Sequence, residues 1–235
     1  MGSAAERGCV SGIISSLRDV PIFADLKEAT LASIAGIGEL RDLPAGVELF
    51  RQGEQPRVLH VLLQGQVALG GTASDGTVAV VEVVTPVDMF ILAAVLTDAP
   101  YLMSARTIAP ARLLQIPAAE LRDLIASQPR LALRMLASLS LQYRKMVRQV
   151  KDLKLRSAAQ RLGCFLLALA SERGDDARVV LPYDKQLLAA RLGTTPEHLS
   201  RAFAALRAHG VEVSGITVRI GDLKALTAFS APDEV

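Results

Sequence analysis

The hydrophobic rhythm of the chain changes twice. Over residues 13–40 apolar positions recur at helical spacing. Ile13, Ile14 and Leu17 are followed by Leu26, Leu31 and Ile34, and Asp25 or Thr30 stands where a cap would. From Leu43 the grammar becomes that of strands. Glycines at 46, 53, 65, 70, 71 and 76 punctuate short apolar runs such as Val58 to Leu63 and Gln66 to Leu69. Asp75-Gly76 is a hairpin signal between two β-rich runs. Val78, Val80, Glu82 and Val84 fall on one strand face and Ala79, Val81 and Val83 on the other, which predicts a largely buried strand. Arg106 to Ile116 reads as a strand pair broken at Pro110. Many short strands at this spacing predict a small barrel or jelly roll.

Helical rhythm returns at Ala118 to Ser127, and Pro129 starts a long helix. Along it Leu136, Leu139, Tyr143, Met146, Val150 and Leu153 recur at spacings of 3, 4, 3, 4 and 3, flanked by Arg, Lys and Gln. A stripe this narrow is either the seam of a coiled coil or one face packed on its own domain. The sustained alternation favours a dimer seam, because a globular contact needs a wider stripe. Ser157 opens another helix, with Ala158, Leu162, Phe165, Leu166 and Leu169 on one face and Gly174 as its stop. Arg178 to Leu181 reads as a short strand.

Residues 184–209 then spell two helices joined by a tight turn. Asp184 caps the first, and Leu187, Leu188 and Leu192 face inward. Ala189 is small where two helices would approach, and Gly193 ends the first helix. Thr195 caps the second, with Pro196 at its first position. This is the arrangement of a helix-turn-helix. The second helix has an apolar face of Leu199, Ala202, Phe203 and Leu206 and an opposite face of Glu197, Ser200, Arg201 and Ala204. That second face suits a major groove. Arg201 can donate twice to guanine, Glu197 can accept from the cytosine amino group, and Ser200 can do either. Lys185 and Thr195 are candidates for phosphate contacts. A plainer reading makes Glu197 a partner of the helix N-terminus and Arg201 an ordinary surface residue. The turn, the small Ala189 and the two-faced helix together favour DNA recognition. Val211 to Val213 and Thr217 to Ile220 predict a two-stranded wing, on which Arg219 could touch a phosphate, and Asp222 to Phe229 closes the domain as a helix.

Charge sharpens this division. Residues 1–129 carry 9 basic and 14 acidic side chains, whereas residues 130–235 carry 17 and 10. An acidic front and a basic rear suit a polyanionic partner for the rear. The 235 residues hold two cysteines, Cys9 and Cys164, too few for a disulfide framework or a cysteine-ligated iron–sulfur cluster. No window is long and apolar enough for a membrane span, and the start has no secretory signal, so a cytoplasmic chain with no membrane partner is expected. The pattern is therefore α+β: a β-roll with N-terminal helices over 1–128, a dimerisation helix over 129–155, and a winged helix-turn-helix over 156–235.

That order, with Leu49-Phe50-Arg51-Gln52-Gly53-Glu54 and Gly65 in the roll and Leu192-Gly193 through Glu197-His198-Leu199-Ser200-Arg201 in the second helix, resembles the CRP/FNR superfamily of bacterial transcription regulators. The resemblance implies a cyclic-nucleotide-binding-like roll that senses an effector. It also implies a homodimer on double-stranded DNA and an activator's contact with RNA polymerase. Glu-x-x-Ser-Arg looks like the FNR-type recognition helix, which reads inverted repeats with half-sites like TTGAT, and this carries to Glu197, Ser200 and Arg201. Pro196 departs from the polar or basic residue of some relatives.

The family's cyclic-nucleotide pocket pairs a Gly-Glu with an Arg on the cyclic phosphate. Here the corresponding stretch runs Val87 to Leu92 and Asp98 to Ser104, with no Arg in the phosphate position; Arg106 lies too far along. A buried phosphate without a cation is costly, so cyclic AMP is not expected. The pocket candidates are Phe90, Leu92, Tyr101 and Ser104. With the Ala-Pro-Tyr turn, the stretch is similar to the DNR branch, which implies nitric oxide sensing through haem. Of the three histidines, His60 lies in a roll strand and is the candidate axial ligand, with a packed core histidine as the plainer reading; His198 and His209 belong to the DNA-binding part. Two other classes compete. An enzyme lacks support, since the chain has no His-x-x-x-His pair, phosphate loop or Gly-x-Ser-x-Gly elbow. A cyclic-nucleotide-binding regulator acting through protein partners is the alternative; the missing phosphate cation and the two-faced helix speak against it.

Overall fold

A computed structural model describes residues 12–72, 78–171, 178–182 and 184–230. The Asp75-Gly76 turn, Gly174 and Cys9 lie outside the described residues. Two compact units emerge, one comprising residues up to Gly71 together with Glu82–Arg144, the other Lys145 onward together with Thr72–Val81.

Along the described chain α1 (residues 12–18) and α2 (Glu28–Ile37) come first. Eight strands follow: β1 Glu39–Leu43, β2 Glu48–Phe50, β3 Val58–Gln64, β4 Val67–Thr72, β5 Val78–Val84, β6 Asp88–Phe90, β7 Ser104–Thr107 and β8 Ala111–Pro117. They form two four-stranded sheets, ordered β1-β8-β3-β6 and β2-β7-β4-β5, which is the expected roll. A short α3 (Leu92–Thr97) interrupts the strands, and α4 (Ala118–Ser127) and α5 (Pro129–Leu155) follow them.

The β1-β8-β3-β6 sheet is covered on both faces, which explains why β3 reads as a continuous apolar run. Leu59 and Val61 of β3 and Leu114 and Ile116 of β8 point to a core shared with Leu17, Leu31, Ile34, Leu92, Val95, Leu121, Leu131 and Met135 from the helices and with Phe23 from the turn between α1 and α2. Leu62 and Leu113 point the other way, into the roll, beside Phe50, Val67, Leu69, Phe90 and Tyr101. Gly65 turns the chain between β3 and β4 with φ +88°, and a side chain there would fall 2.2 Å from the carbonyl oxygen of Pro110. Only glycine accommodates both the left-handed backbone and that approach.

Two expectations about the strands are corrected. Arg106 to Ile116 does form two strands about Pro110, but β7 pairs with β2 and β4 while β8 pairs with β1 and β3, so they lie in different sheets. The run Val78–Val84 is not largely buried. Val83 and Val84 are buried, yet Ala79 and Val81 are exposed, Val81 by 49%. The reason is position: β5 is the edge of its sheet.

In the second unit, α5 runs on into α6 (Ala158–Ser171) through a reciprocal cap. Ser157 Oγ accepts from the Gln160 N–H at 3.3 Å, and Gln160 Oε1 accepts from the Ser157 N–H at 2.9 Å. Then come β9 (Arg178–Val180), α7 (Lys185–Arg191), α8 (Pro196–Leu206), a 3-10 turn (Arg207–His209), β10 (Val211–Ser214), β11 (Thr217–Ile220) and α9 (Leu223–Ser230). The wing differs from the two strands expected: β9 joins it on the far side of β11, giving the order β10-β11-β9. Leu162, Leu166, Leu188, Leu199, Leu206, Val218 and Leu226, all below 2% exposed, fill the core of this unit.

Candidate nucleic-acid interface and effector pocket

Local chemistry sets the two helices of the turn. Asp184 caps α7, its Oδ1 accepting from the Leu187 N–H at 2.7 Å. Leu188, Ala189 and Leu192 are buried and Leu187 is half-buried. The chain leaves α7 through Gly193 at φ +61° and enters α8 at Thr195, whose Oγ1 accepts from the His198 N–H at 3.3 Å. Pro196 is the first residue of α8 and needs no hydrogen-bond acceptor there.

Leu199, Ala202, Phe203 and Leu206 are all buried, while Glu197, Ser200, Arg201 and Ala204 are exposed. The structure thus brings the three candidate base-reading side chains to one solvent face in the first turns of α8. Each has a local engagement. The Glu197 carboxylate is held below its ordinary pKa, first by its own backbone N–H, then by the Thr195 hydroxyl, and further by the nearby positive charge of Arg201. Ser200 Oγ donates to the Pro196 carbonyl at 3.0 Å, which leaves its oxygen able to accept. Lys185 is exposed at the start of α7. The Thr195 hydroxyl is committed to the cap. On the wing, Arg219 is drawn to Glu212 at 3.3 Å. The register aligns Glu212, Arg219 and Arg178 across β10, β11 and β9. These three line a shallow groove with Val213, Ser214 and Thr217. No local pattern marks Arg178 in the sequence; only the pairing of β9 with β11 places it beside Arg219.

Of the six seam residues on α5, Leu136, Tyr143, Met146, Val150 and Leu153 are exposed and Leu139 is partly buried against the first unit's core. Leu133, Leu141 and Val147 are exposed as well, so the apolar surface is wider than the seam.

The four pocket candidates do not share one environment. Leu92 starts α3 and lies in the core beneath the helices. Phe90 and Tyr101 lie inside the roll. Ser104 Oγ accepts from the Gln52 N–H at 3.0 Å. Inside the roll the aromatic rings are stacked, Phe50 on Tyr101 at 3.9 Å and His60 on Phe90 at 5.3 Å. His60 pairs across the sheet with Phe90 on one side and Gln115 on the other. It is 1% exposed, and burial pushes its imidazole down to about 4, so it is neutral at physiological pH. The residues around His60 do not fit a haem: Phe50 and Phe90 pack its ring and Gln115 Nε2 lies 3.4 Å from its Nδ1. Among the described residues no group of three His, Cys, Asp or Glu side chains could hold a metal ion, and no helix is long and apolar enough to cross a membrane.

Residues 40–128 match the family model of the cyclic nucleotide-binding domain, and residues 160–229 match the Crp-like helix-turn-helix domain. A solved regulatory protein from Silicibacter pomeroyi DSS-3 is 32% identical, with 94% of this chain and all of that one covered at a TM-score of 0.61. A CRP-like cAMP-activated global transcriptional regulator of Mycobacterium tuberculosis is 26% identical over 87% of this chain and 94% of its own. DNR from Pseudomonas aeruginosa is 27% identical, with 97% of this chain and 99% of that one covered at a TM-score of 0.46. The chain belongs to the CRP/FNR family of DNA-binding transcription regulators.

Proposed function

We propose that the chain acts as a homodimer that reads an inverted repeat resembling TTGAT-N4-ATCAA, under the control of an effector in the roll that is not cyclic AMP. The observation that carries the DNA half is the first part of α8: Glu197, Ser200 and Arg201 stand exposed together, opposite a fully buried stripe. Two such helices, paired through the exposed apolar surface of α5, would enter successive major grooves one helical turn apart. Contact with RNA polymerase follows for an activator of this family.

The effector half is supported by chemistry. A cyclic phosphate in the roll would need a buried cation. Within the stretch expected to hold it, Leu102 and Met103 stand before Ser104, and Arg106 is exposed and paired with Glu48 at 3.8 Å. The M. tuberculosis relative is cAMP-activated by name, which makes calorimetry with cyclic AMP the direct check. No binding heat is expected, and saturable heat would overturn this half.

The DNA half is tested by fluorescence anisotropy on a labelled TTGAT-N4-ATCAA duplex against a scrambled duplex at fixed salt. Wild-type protein is expected to prefer the palindrome. Arg201→Ala should cost about 1–3 kcal/mol of that preference. Unchanged preference at the half-site guanine would overturn the assignment of Arg201.

A further inference from the structure

The carbonyl ends of two helices meet at one side chain. The last residues of α5 and α7 leave backbone oxygens without intrahelical partners, and these carry the partial negative charge of a helix C-terminus. Arg161, in the first turn of α6, reaches both. Its Nη1 donates to the Arg156 carbonyl, just past α5, at 2.7 Å. Its Nε donates to the Leu192 carbonyl at 2.9 Å and its Nη2 to the Gly193 carbonyl at 3.3 Å, both at the end of α7. A planar guanidinium with donors in a fixed fork can hold oxygens on two elements at once; an ammonium is a point charge without that geometry. The group is partly buried, and desolvation lowers its pKa without discharging it.

A second contact joins the same two elements. Leu153, on the last turns of α5, lies so close to the turn that a Cβ on Gly193 would stand 2.6 Å from its Cδ2. Gly193 is therefore required twice, for its positive φ and for this approach. Leu153 is also the last of the predicted seam residues, so the seam's final position touches the turn that launches α8.

We propose that Arg161 is a positioning residue for DNA recognition: by bonding the end of α5 and the end of α7 together, it sets the orientation of α8 relative to the last turns of α5. The inference rests on the reading of α8 as the recognition helix. Any rearrangement of the last turn of α5 then reaches the helix-turn-helix through Arg161 and Leu153 instead of being lost in a loose joint.

The experiment uses the full chain. Wild type, Arg161→Met, Arg161→Lys, Arg201→Ala and the Arg161→Met/Arg201→Ala double variant are compared by anisotropy on the palindromic and scrambled duplexes at fixed salt. Thermal unfolding of each variant sets a working temperature at which all are folded. Methionine keeps much of the apolar stem and removes the fork. Arg161→Met is expected to weaken palindrome binding about tenfold or more, the cost of a misread base pair, and to leave scrambled binding within about twofold. Arg161→Lys should recover part of the loss. Arg201→Ala should cost less in the Arg161→Met background than alone, because a misaligned helix has already forfeited that contact. Equal losses on both duplexes, full additivity, or no loss would each overturn the positioning role. If wild type itself shows no preference for the palindrome, the underlying reading of α8 fails instead, a result distinct from those three.

Discussion

The interior of the roll and the surface of the helix-turn-helix use their polar chemistry in opposite ways. In the roll, His60 packs against both Phe50 and Phe90, and its charge is suppressed by burial. On α8, Glu197 and Arg201 stay charged and exposed, and packing is left to the opposite face. One helix can present a chemical face because its other side alone anchors it. A strand in a doubly covered sheet has no free side, so a candidate ligand there is absorbed into the core.

The largest expected effect tests whether that interior is packed core. Phe90→Ala removes a 3% exposed ring from against His60 and Phe50 and should cost about 3–5 kcal/mol of stability in urea unfolding. A loss below about 1 kcal/mol, outside the usual range for buried rings, would mark the cluster as a ligand cavity.

Next comes the pH dependence of stability. His60 binds a proton in the unfolded chain near 6.5 and in the fold only near 4. The unfolded state therefore takes up the proton first on acidification. The stabilisation is complete above about 6.5, falls as pH drops through that window, and is lost by about 4, a total on the order of 3 kcal/mol. His60→Phe should flatten this part of the curve. Denaturant midpoints between pH 4 and 7 that match in the two proteins would show that His60 is not neutral by burial.

The smallest effect lies on the wing. Glu212→Gln removes the acid that holds Arg219. It should raise affinity for the scrambled duplex a few-fold and steepen the salt dependence by about one phosphate contact. An unchanged salt slope would place the wing away from the DNA backbone.

How much of this was legible in the sequence depended on the range of the cause. The bounds of α4 and α5, the caps at Asp184 and Thr195, the break at Gly193 and both faces of α8 agree with the sequence reading, since each follows from residues within one or two turns of each other. The Asp-x-x-Leu and Thr-x-x-His cap spacings and the i, i+3, i+4, i+7 stripe carry their own geometry. The strand run 78–84 misled because an edge strand and a central strand can share one pattern; which it becomes is decided by whether a neighbour arrives. β7 and β8 were joined by proximity in sequence, while the sheets separate them. The four pocket candidates lie close together in sequence, but the turn into α3 sends Leu92 to a different core from Phe90.

By itself, then, the sequence determined the order of roll, long helix and winged helix-turn-helix, and it placed Glu197, Ser200 and Arg201 on one face, because helical periodicity and capping are local. Only the tertiary structure decided that His60 is walled in by rings from β2 and β6, that Arg178 stands beside Arg219, and that Arg161 bonds the ends of α5 and α7. Those outcomes depend on segments distant along the chain meeting in space, and on the burial and unpaired backbone groups created when they meet.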